Sequence, residues 1–256
     1  MATLQDKLTK RFHKACADYG LIADGDHILI GLSGGKDSLA MVELLGRRAK
    51  IYKPRFRVTA LHVRVKERAY QTDMSYLENF CREAGVPLLV RDVEIGESYS
   101  PKGDPTATRS YSAAVLQRSG PANPCFLCSW YRRKELFNVA QEIGCNKIAL
   151  GHHRDDVVQT LLMNLIYQGA IAAMPPKLKM DKMPIELIRP LYLIDEEDLI
   201  AYAAERGYRK QAKLCPFEHV SSREKVKDLL AQIKTMNPEA MDSIFGAIHN
   251  IKENYL

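Results

Sequence analysis

Six consecutive residues, Ser33-Gly34-Gly35-Lys36-Asp37-Ser38, follow the apolar run Ile28–Leu32 and precede the helix-forming stretch Leu39–Leu45. A strand that ends in a Ser/Gly turn and opens into a helix is an anion cradle. Glycine lets backbone N–H groups approach a phosphate without a Cβ in the way. The helix N-terminus adds roughly half a positive charge at the same place. Ser33, Ser38 and Lys36 are further donors, and Asp37 is an oxygen ligand suited to Mg²⁺. The spacing differs from the G-x-x-x-x-G-K-[ST] loop common to many nucleotide-binding proteins.

Cysteine is the second chemical signal. Pro124-Cys125-Phe126-Leu127-Cys128 leads into a helix carrying Arg132, Arg133 and Lys134. Thiols at this spacing can share a metal or close a disulfide, and nearby cations favour the thiolate. A zinc site normally wants four protein ligands, and the sequence has one C-x-x-C plus Cys215 in a loop setting. Three cysteines suit a [4Fe–4S] cluster with one iron open, although four-cysteine ligation is the usual pattern. Cys16, Cys81 and Cys145 lie among apolar neighbours and read as small buried hydrophobes.

Gly151-His152-His153-Arg154-Asp155-Asp156 follows a later strand-like run. At least one of Asp155 and Asp156 is expected to cap the next helix; a carboxylate there could also hold Mg²⁺ beside a triphosphate. Arg189, in Ile188-Arg189-Pro190-Leu191, is a candidate phosphate contact or the partner of an acidic neighbour.

These motifs need a scaffold. Strand-like runs at 28–32, 58–63, 87–93 and 147–151 alternate with helical patterns near 37–49, 72–84 and 129–143. The alternation predicts an α/β fold with a parallel sheet covered on both faces. Such sheets place ligands beyond the carboxyl ends of the strands. Residues 1–24 are expected to be an N-terminal helix unit, 25–194 the α/β domain with the C-x-x-C segment, and 195–256 a helical region carrying Cys215. The stretch 96–124 reads as a substrate flap, and 169–190 as loop with one short strand. Acidic residues from Asp195 mark the first turn of a helix over 195–206, and Asn237-Pro238 breaks the helical segment 222–250.

Apolar residues make up 46% of the 256-residue chain and charged residues 27%, so a packed core is expected. No apolar run is long enough for a membrane span, and the N-terminus lacks a signal-peptide core, so a cytoplasmic protein is expected. The formal charge of +6 favours a polyanionic partner. The clusters Lys10–Lys14, Arg47–Lys50, Lys53–Arg57 and Arg132–Lys134 each read alone as a solvated face, and would position a phosphate backbone if they converged near the Ser33–Ser38 turn.

Together the SGGKDS, PCFLC, GHHRDD, MPPKL and IRPL motifs and a later Cys-Pro resemble the tRNA 2-thiocytidine synthetase family (TtcA), a group of PP-loop ATP pyrophosphatases. The resemblance runs from about residue 25 onward. It implies a five-stranded-type parallel sheet of the adenine-nucleotide α-hydrolase-like kind. It also implies ATP-dependent replacement of the 2-oxygen of cytidine 32 in certain tRNAs by sulfur. Ser33–Ser38, Gly151, Asp155, Asp156 and Arg189 would bind ATP and Mg²⁺; Arg132, Arg133 and Lys134 would hold the anticodon-loop RNA. Cys125, Cys128 and Cys215 would ligate a [4Fe–4S] cluster, or relay sulfur as a persulfide without iron. A sulfur donor such as a cysteine desulfurase is implied, and a homodimer is compatible. One departure is visible: family members often carry a second C-x-x-C near the last cysteine, where this chain reads Leu214-Cys215-Pro216-Phe217-Glu218-His219. The other readings are a different PP-loop adenylation, such as thiouridine or lysidine formation, and a non-enzymatic nucleotide sensor.

Overall fold

The computed structural model describes residues 3–66, 70–94, 124–209, 212–213, 222–252 and 254. Helix α1 (Leu4–Asp18) leads into strand β1 (His27–Gly31), helix α2 (Lys36–Ala49) and strand β2 (Arg57–Val65). Strand β3 (Tyr70–Gln71), helix α3 (Met74–Ala84) and strand β4 (Leu88–Val93) follow. Then come helix α4 (Pro124–Glu142), strand β5 (Lys147–Ala149), helix α5 (Arg154–Gln168) and strands β6 (Lys177–Lys179) and β7 (Glu186–Ile188). Helix α6 (Glu196–Glu205), strand β8 (Ala212–Lys213) and helices α7 (Ser222–Met236) and α8 (Ala240–Ala247) complete the described elements.

The main sheet has the order β4-β2-β1-β5-β7-β6. Its first five strands pair in parallel, as the alternating pattern predicts. The sixth, β6, is antiparallel to β7 and was not expected. All three β6 residues are exposed. Lys177-Leu178-Lys179 therefore carries no inward-facing set, and it is the kind of short, charged edge that sequence periodicity does not reveal. β3 and β8 form a separate antiparallel ribbon.

The central strand explains why the sequence there is apolar without alternation. Ile28 and Ile30 face a core shared with Leu39, Met41, Val42 and Leu45 of α2 and with Leu8 and Phe12 of α1. Leu29 faces the opposite core, with Leu136, Val139 and Ala140 of α4. A strand covered on both faces must be apolar at every position. β2 divides in the same way, with Val58 and Ala60 on one side and Leu61 and Val63 on the other. A third, smaller cluster seats α7 and α8 on α5 through Val158, Val226, Leu230 and Met241. α2 lies close against α3: a Cβ on Gly46 would come within 2.6 Å of the Ala84 carbonyl oxygen.

Among the described residues no helix is long and apolar enough to cross a membrane. Cys16, Cys81 and Cys145 are buried free thiols, as expected. Burial pushes Cys16 up to about 12 and the other two up to about 11, which removes them from thiolate chemistry. The 96–124 flap falls almost wholly on residues outside those described, and Cys215 lies outside them too.

Candidate active site

The Ser/Gly turn sits where β1 hands over to α2, at the carboxyl edge of the sheet. Leu32 is held there by its own N–H, donated to the Leu61 carbonyl at 2.9 Å, and by the buried His62 ring, whose Nδ1 lies 2.8 Å from the Leu32 carbonyl. Gly34 takes φ +82°, a left-handed value that side chains resist, and so turns the chain into the helix. Gly35 is the N-cap residue and makes no side-chain cap. The first-turn amides of α2 are therefore left for an anion rather than for a neighbouring side chain. Ser33 and Ser38 are engaged within the turn: their hydroxyls are 3.1 Å apart, Ser38 Oγ donates to the Gly35 carbonyl at 2.9 Å, and the Gly35 N–H donates to Ser33 Oγ at 3.3 Å. They shape the cradle more than they project from it. Lys36 and Asp37 point sideways, with Lys36 Nζ 3.0 Å from Asp37 Oδ1 and 3.5 Å from Glu196 Oε1.

Gly151, just past β5, lets the second wall approach. A Cβ there would lie 3.4 Å from Asp37 and from the Ser38 amide nitrogen. The next residues build the start of α5. His153 is its N-cap, and its N–H donates to Asp156 Oδ2 at 3.1 Å. Asp155 Oδ2 accepts the Glu196 N–H at 2.8 Å and thereby caps α6. Each aspartate thus satisfies a helix start, one its own and one a neighbour's. Asp156 also faces Arg223 of α7 at 3.4 Å.

Charges in this corner are coupled. Burial works against charge on His153, but hydrogen bonding to Asp155 and the nearby Asp156 and Asp37 raise its pKa. Asp155 is lowered although burial opposes it, because His153 and the Glu196 N–H favour its carboxylate. His152 is pushed down to about 4, first by burial and then by Arg189, Arg223 and His153, which outweigh Asp156. It is neutral near pH 7, and its Nδ1 has no hydrogen-bond partner among the described residues.

Arg189 is only 6% exposed. Its guanidinium donates to the Pro175 carbonyl at 2.5 Å, and its own N–H to the Pro176 carbonyl at 2.9 Å. It clamps the Met174-Pro175-Pro176 turn, a role that neither the phosphate nor the acidic-neighbour expectation contained.

The cysteine motif is on the same edge. α4 already begins at Pro124, so Cys125 and Cys128 occupy its first turns rather than preceding it. They stand at positions i and i+3 of that helix. Cys128 is buried. Two turns further on, Leu136 packs over Gly31, at 3.4 Å from the position a Cβ would take. Cys128 therefore stands about 12 Å along the helix from the level where β1 ends. Arg132, one turn from Cys128, approaches His62, where burial and this cation depress the imidazole pKa. Arg133 folds back on Ser129, and Lys134 lies over the Trp130 ring at 5.2 Å.

For a [4Fe–4S] cluster the donor set is right in kind: Cys125 and Cys128 are three positions apart at the start of α4, and the Cys128 thiol is buried there. For Mg²⁺, no group of three or more His, Cys, Asp or Glu is poised to hold a metal among the described residues. Asp37 offers one carboxylate beside the turn, which fits an ion that arrives on nucleotide phosphates.

Of the basic clusters, Arg132–Lys134 shares the edge of the turn, whereas Arg47 and Arg48 are in the last turn of α2 and Arg57 opens β2, so those two sit at the opposite edge of the sheet. Arg11 is consumed by Asp195 and Asp198. Conversely, Glu196, Arg223 and Lys227 reach the site from helices read only for their capping and breaks. Their signal was spatial, and no sequence spacing carries it.

A parallel sheet with this turn after its first strand defines a PP-loop protein. Residues 3–118 and 130–210 match the family model described as a PP-loop domain. Relatives within that class are named tRNA-cytidine(32) 2-sulfurtransferase. The one from Alcanivorax borkumensis is 35% identical over 254 residues, spanning 99% of this chain and 84% of the relative. That from Pseudomonas putida is 33% identical, spanning 98% of this chain and 88% of the relative. The chain belongs to the PP-loop family and, within it, to the tRNA-cytidine(32) 2-sulfurtransferases. Among solved structures, the U34-tRNA thiolase NcsA from Methanococcus maripaludis, with its [4Fe-4S] cluster, matches with a TM-score of 0.72 at 26% identity, covering 96% of this chain and 78% of that one.

Proposed function

We propose that this chain is a cytoplasmic, ATP-dependent tRNA sulfurtransferase that converts cytidine 32 of an anticodon loop to 2-thiocytidine. One observation carries the reading: the Ser33–Ser38 turn and the Cys125/Cys128 helix share one edge of the sheet, in a chain 35% identical to a tRNA-cytidine(32) 2-sulfurtransferase.

The chemistry follows from what the cytosine ring lacks. Its C2 oxygen is a poor leaving group until it carries AMP. The α2 amides and the Gly34–Gly35 backbone receive the departing pyrophosphate, where oriented dipoles act without reorganising. Lys36 turns from Asp37 and Glu196 to the phosphates, and Asp37 shares the Mg²⁺ that accompanies them. The C2 oxygen bonds to the α-phosphorus and the bond to pyrophosphate breaks. Sulfide then adds at C2 and the former carbonyl oxygen leaves on AMP. Cys125, Cys128 and Cys215 would hold a [4Fe–4S] cluster, which supplies an iron site for that sulfide when bound. The sulfur comes from a donor such as a cysteine desulfurase, and because its persulfide sulfur becomes sulfide only on gaining two electrons, a thiol reductant is required as a co-reactant and is oxidised to disulfide. The target base must be unstacked to be reached, as an anticodon loop permits. Arg132, Arg133 and Lys134, beside the cysteines, hold its backbone.

The test is direct. The chain, purified and reconstituted without oxygen, is expected to carry about four irons and four sulfides and to lose them as Cys215→Ser. With tRNA and ATP it releases pyrophosphate, and nucleoside analysis of the RNA shows 2-thiocytidine. Zinc or no metal, with Cys215→Ser unchanged, would overturn the cluster. Adenylated or thiolated uridine in place of 2-thiocytidine would overturn the substrate.

A further inference from the structure

Lys36 is not free to meet a nucleotide on its own terms. Its ammonium lies 3.5 Å from Glu196 Oε1, and Glu196 Oε2 lies 2.9 Å from Lys227 Nζ. Glu196 is the first residue of α6 and cannot drift, because its backbone N–H is bound to Asp155 at 2.8 Å. Lys227 comes from α7, one turn after Arg223, which reaches Asp156 at 3.4 Å. Three elements that the chain makes far apart thus meet in one line of alternating charge: Asp37, Lys36, Glu196, Lys227. Glu196 is held below the usual carboxylate range: burial would raise it, and the Lys227 hydrogen bond, with Lys36 and His153, outweighs that. It is fully ionised near pH 7, next to the place where a polyphosphate would bring several more negative charges.

We infer that Lys227 is a positioning residue for the nucleotide-binding turn: by sharing the Glu196 carboxylate, it limits how strongly that carboxylate competes with an incoming nucleoside triphosphate for Lys36. The inference rests on the proposed use of ATP and assigns Lys227 no contact with it. Without Lys227, Glu196 has one cation fewer and draws Lys36 away from the turn. It also presents its full charge to the triphosphate. Without Glu196, Lys36 turns to phosphate more readily and Lys227 loses its hydrogen-bonded partner, keeping only the weaker pull of Asp155 and Asp156. Lys227 is more than half exposed, so solvent screens the effect to a few-fold.

The experiment is a double-mutant cycle on the full chain, read by calorimetric titration with Mg-ATP and by tRNA-dependent pyrophosphate release. Lys227→Met is expected to weaken ATP binding about threefold and raise KM alike, with kcat nearly unchanged, within the range for an exposed ion pair. Glu196→Gln is expected to tighten binding by a similar factor. Lys227→Met made in the Glu196→Gln background should then change little, since only the weaker attraction to Asp155 and Asp156 is left to lose. Persistence of the threefold loss in that background would mean that Lys227 touches the nucleotide directly, and would overturn the inference. A fall in melting temperature with unchanged ATP affinity would overturn it too, as a purely structural role. Lys227→Gln repeats the test should the methionine variant fail to fold. If the wild-type chain binds ATP but releases no pyrophosphate with tRNA, the proposed reaction fails while the binding cycle still decides the role of Lys227.

Discussion

Gly46→Ala sets two effects of similar size against each other, and the structure says which wins. Replacing a mid-helix glycine by alanine ordinarily stabilises by about 0.8–1 kcal/mol, because the unfolded chain loses freedom and the helix gains a better former. At Gly46 the new methyl would stand 2.6 Å from the Ala84 carbonyl oxygen and 3.0 Å from Val86 Cγ2. The first obstacle is backbone, at the end of α3, and it cannot swing aside as a side-chain tip could. Forcing the two helices apart costs about 1–3 kcal/mol. The net expectation is a loss of up to about 2 kcal/mol in place of the ordinary gain, or a melting temperature lower by up to about 4–8 °C for a chain of this size. Gly246, near the end of α8, is the control, since a Cβ there meets nothing within 4 Å. Gly246→Ala should raise the melting temperature, by at most ~1 kcal/mol of stability. Thermal and urea unfolding of both variants in parallel give the answer. Gly46→Ala matching the gain of Gly246→Ala would refute the close seating of α2 on α3. ATP affinity should be nearly unaffected, because Gly46 lies about 15 Å along α2 from Lys36.

Three further outcomes are expected. Gly34→Ala places a Cβ at φ +82°; the strain of ~1–2 kcal/mol should distort the cradle and weaken ATP binding by about tenfold or more, measured by calorimetry. Lys147→Met removes a buried ammonium 2.7 Å from Asp26 and 3.0 Å from the Leu21 carbonyl. It should cost about 3–5 kcal/mol in urea unfolding, and adding Asp26→Asn should recover part of it. The raised pKa of His153 stabilises the fold fully below its unfolded value, about 6.5, and that contribution is lost as pH rises through the native value. The stability gap between the native chain and His153→Gln should therefore widen from pH 8 to pH 6; a constant gap would remove the charge from the account.

The parts of the site that were legible in the sequence are those fixed by one turn of chain. Ser33–Ser38 and Gly151 declare themselves because a parallel strand must be apolar throughout and the residues just after it must not be. Asp155 and Asp156 declare a helix start for the same local reason, but not which helix: that Asp155 caps α6 depends on where β7 delivers the chain. The acidic run at Asp195–Asp198 reads as a helix start and is one. Its contact with Lys36 depends on packing between α2 and α6, which leaves no mark at helical spacing. The basic runs say nothing of position for the converse reason. A pair such as Arg47-Arg48 at a helix end interacts well with the dipole wherever that end points, so its presence does not say which edge of the sheet it occupies.

The strand order also sets a timetable for synthesis. β1, β2 and β4 pair among themselves within the first 93 residues, so the turn at Ser33–Ser38 has its strand and its helix early. The opposite wall comes late: the contact between His27 and Asn146, which brings β5 alongside β1, closes a separation of 119 residues. Pairings this distant form slowly, because loop closure precedes any reward. A nascent chain therefore carries the nucleotide turn long before Gly151, Asp155 and Glu196 arrive to enclose it, and through that interval the apolar face of β1 awaiting β5 and α4 is the surface that most needs shielding from other chains.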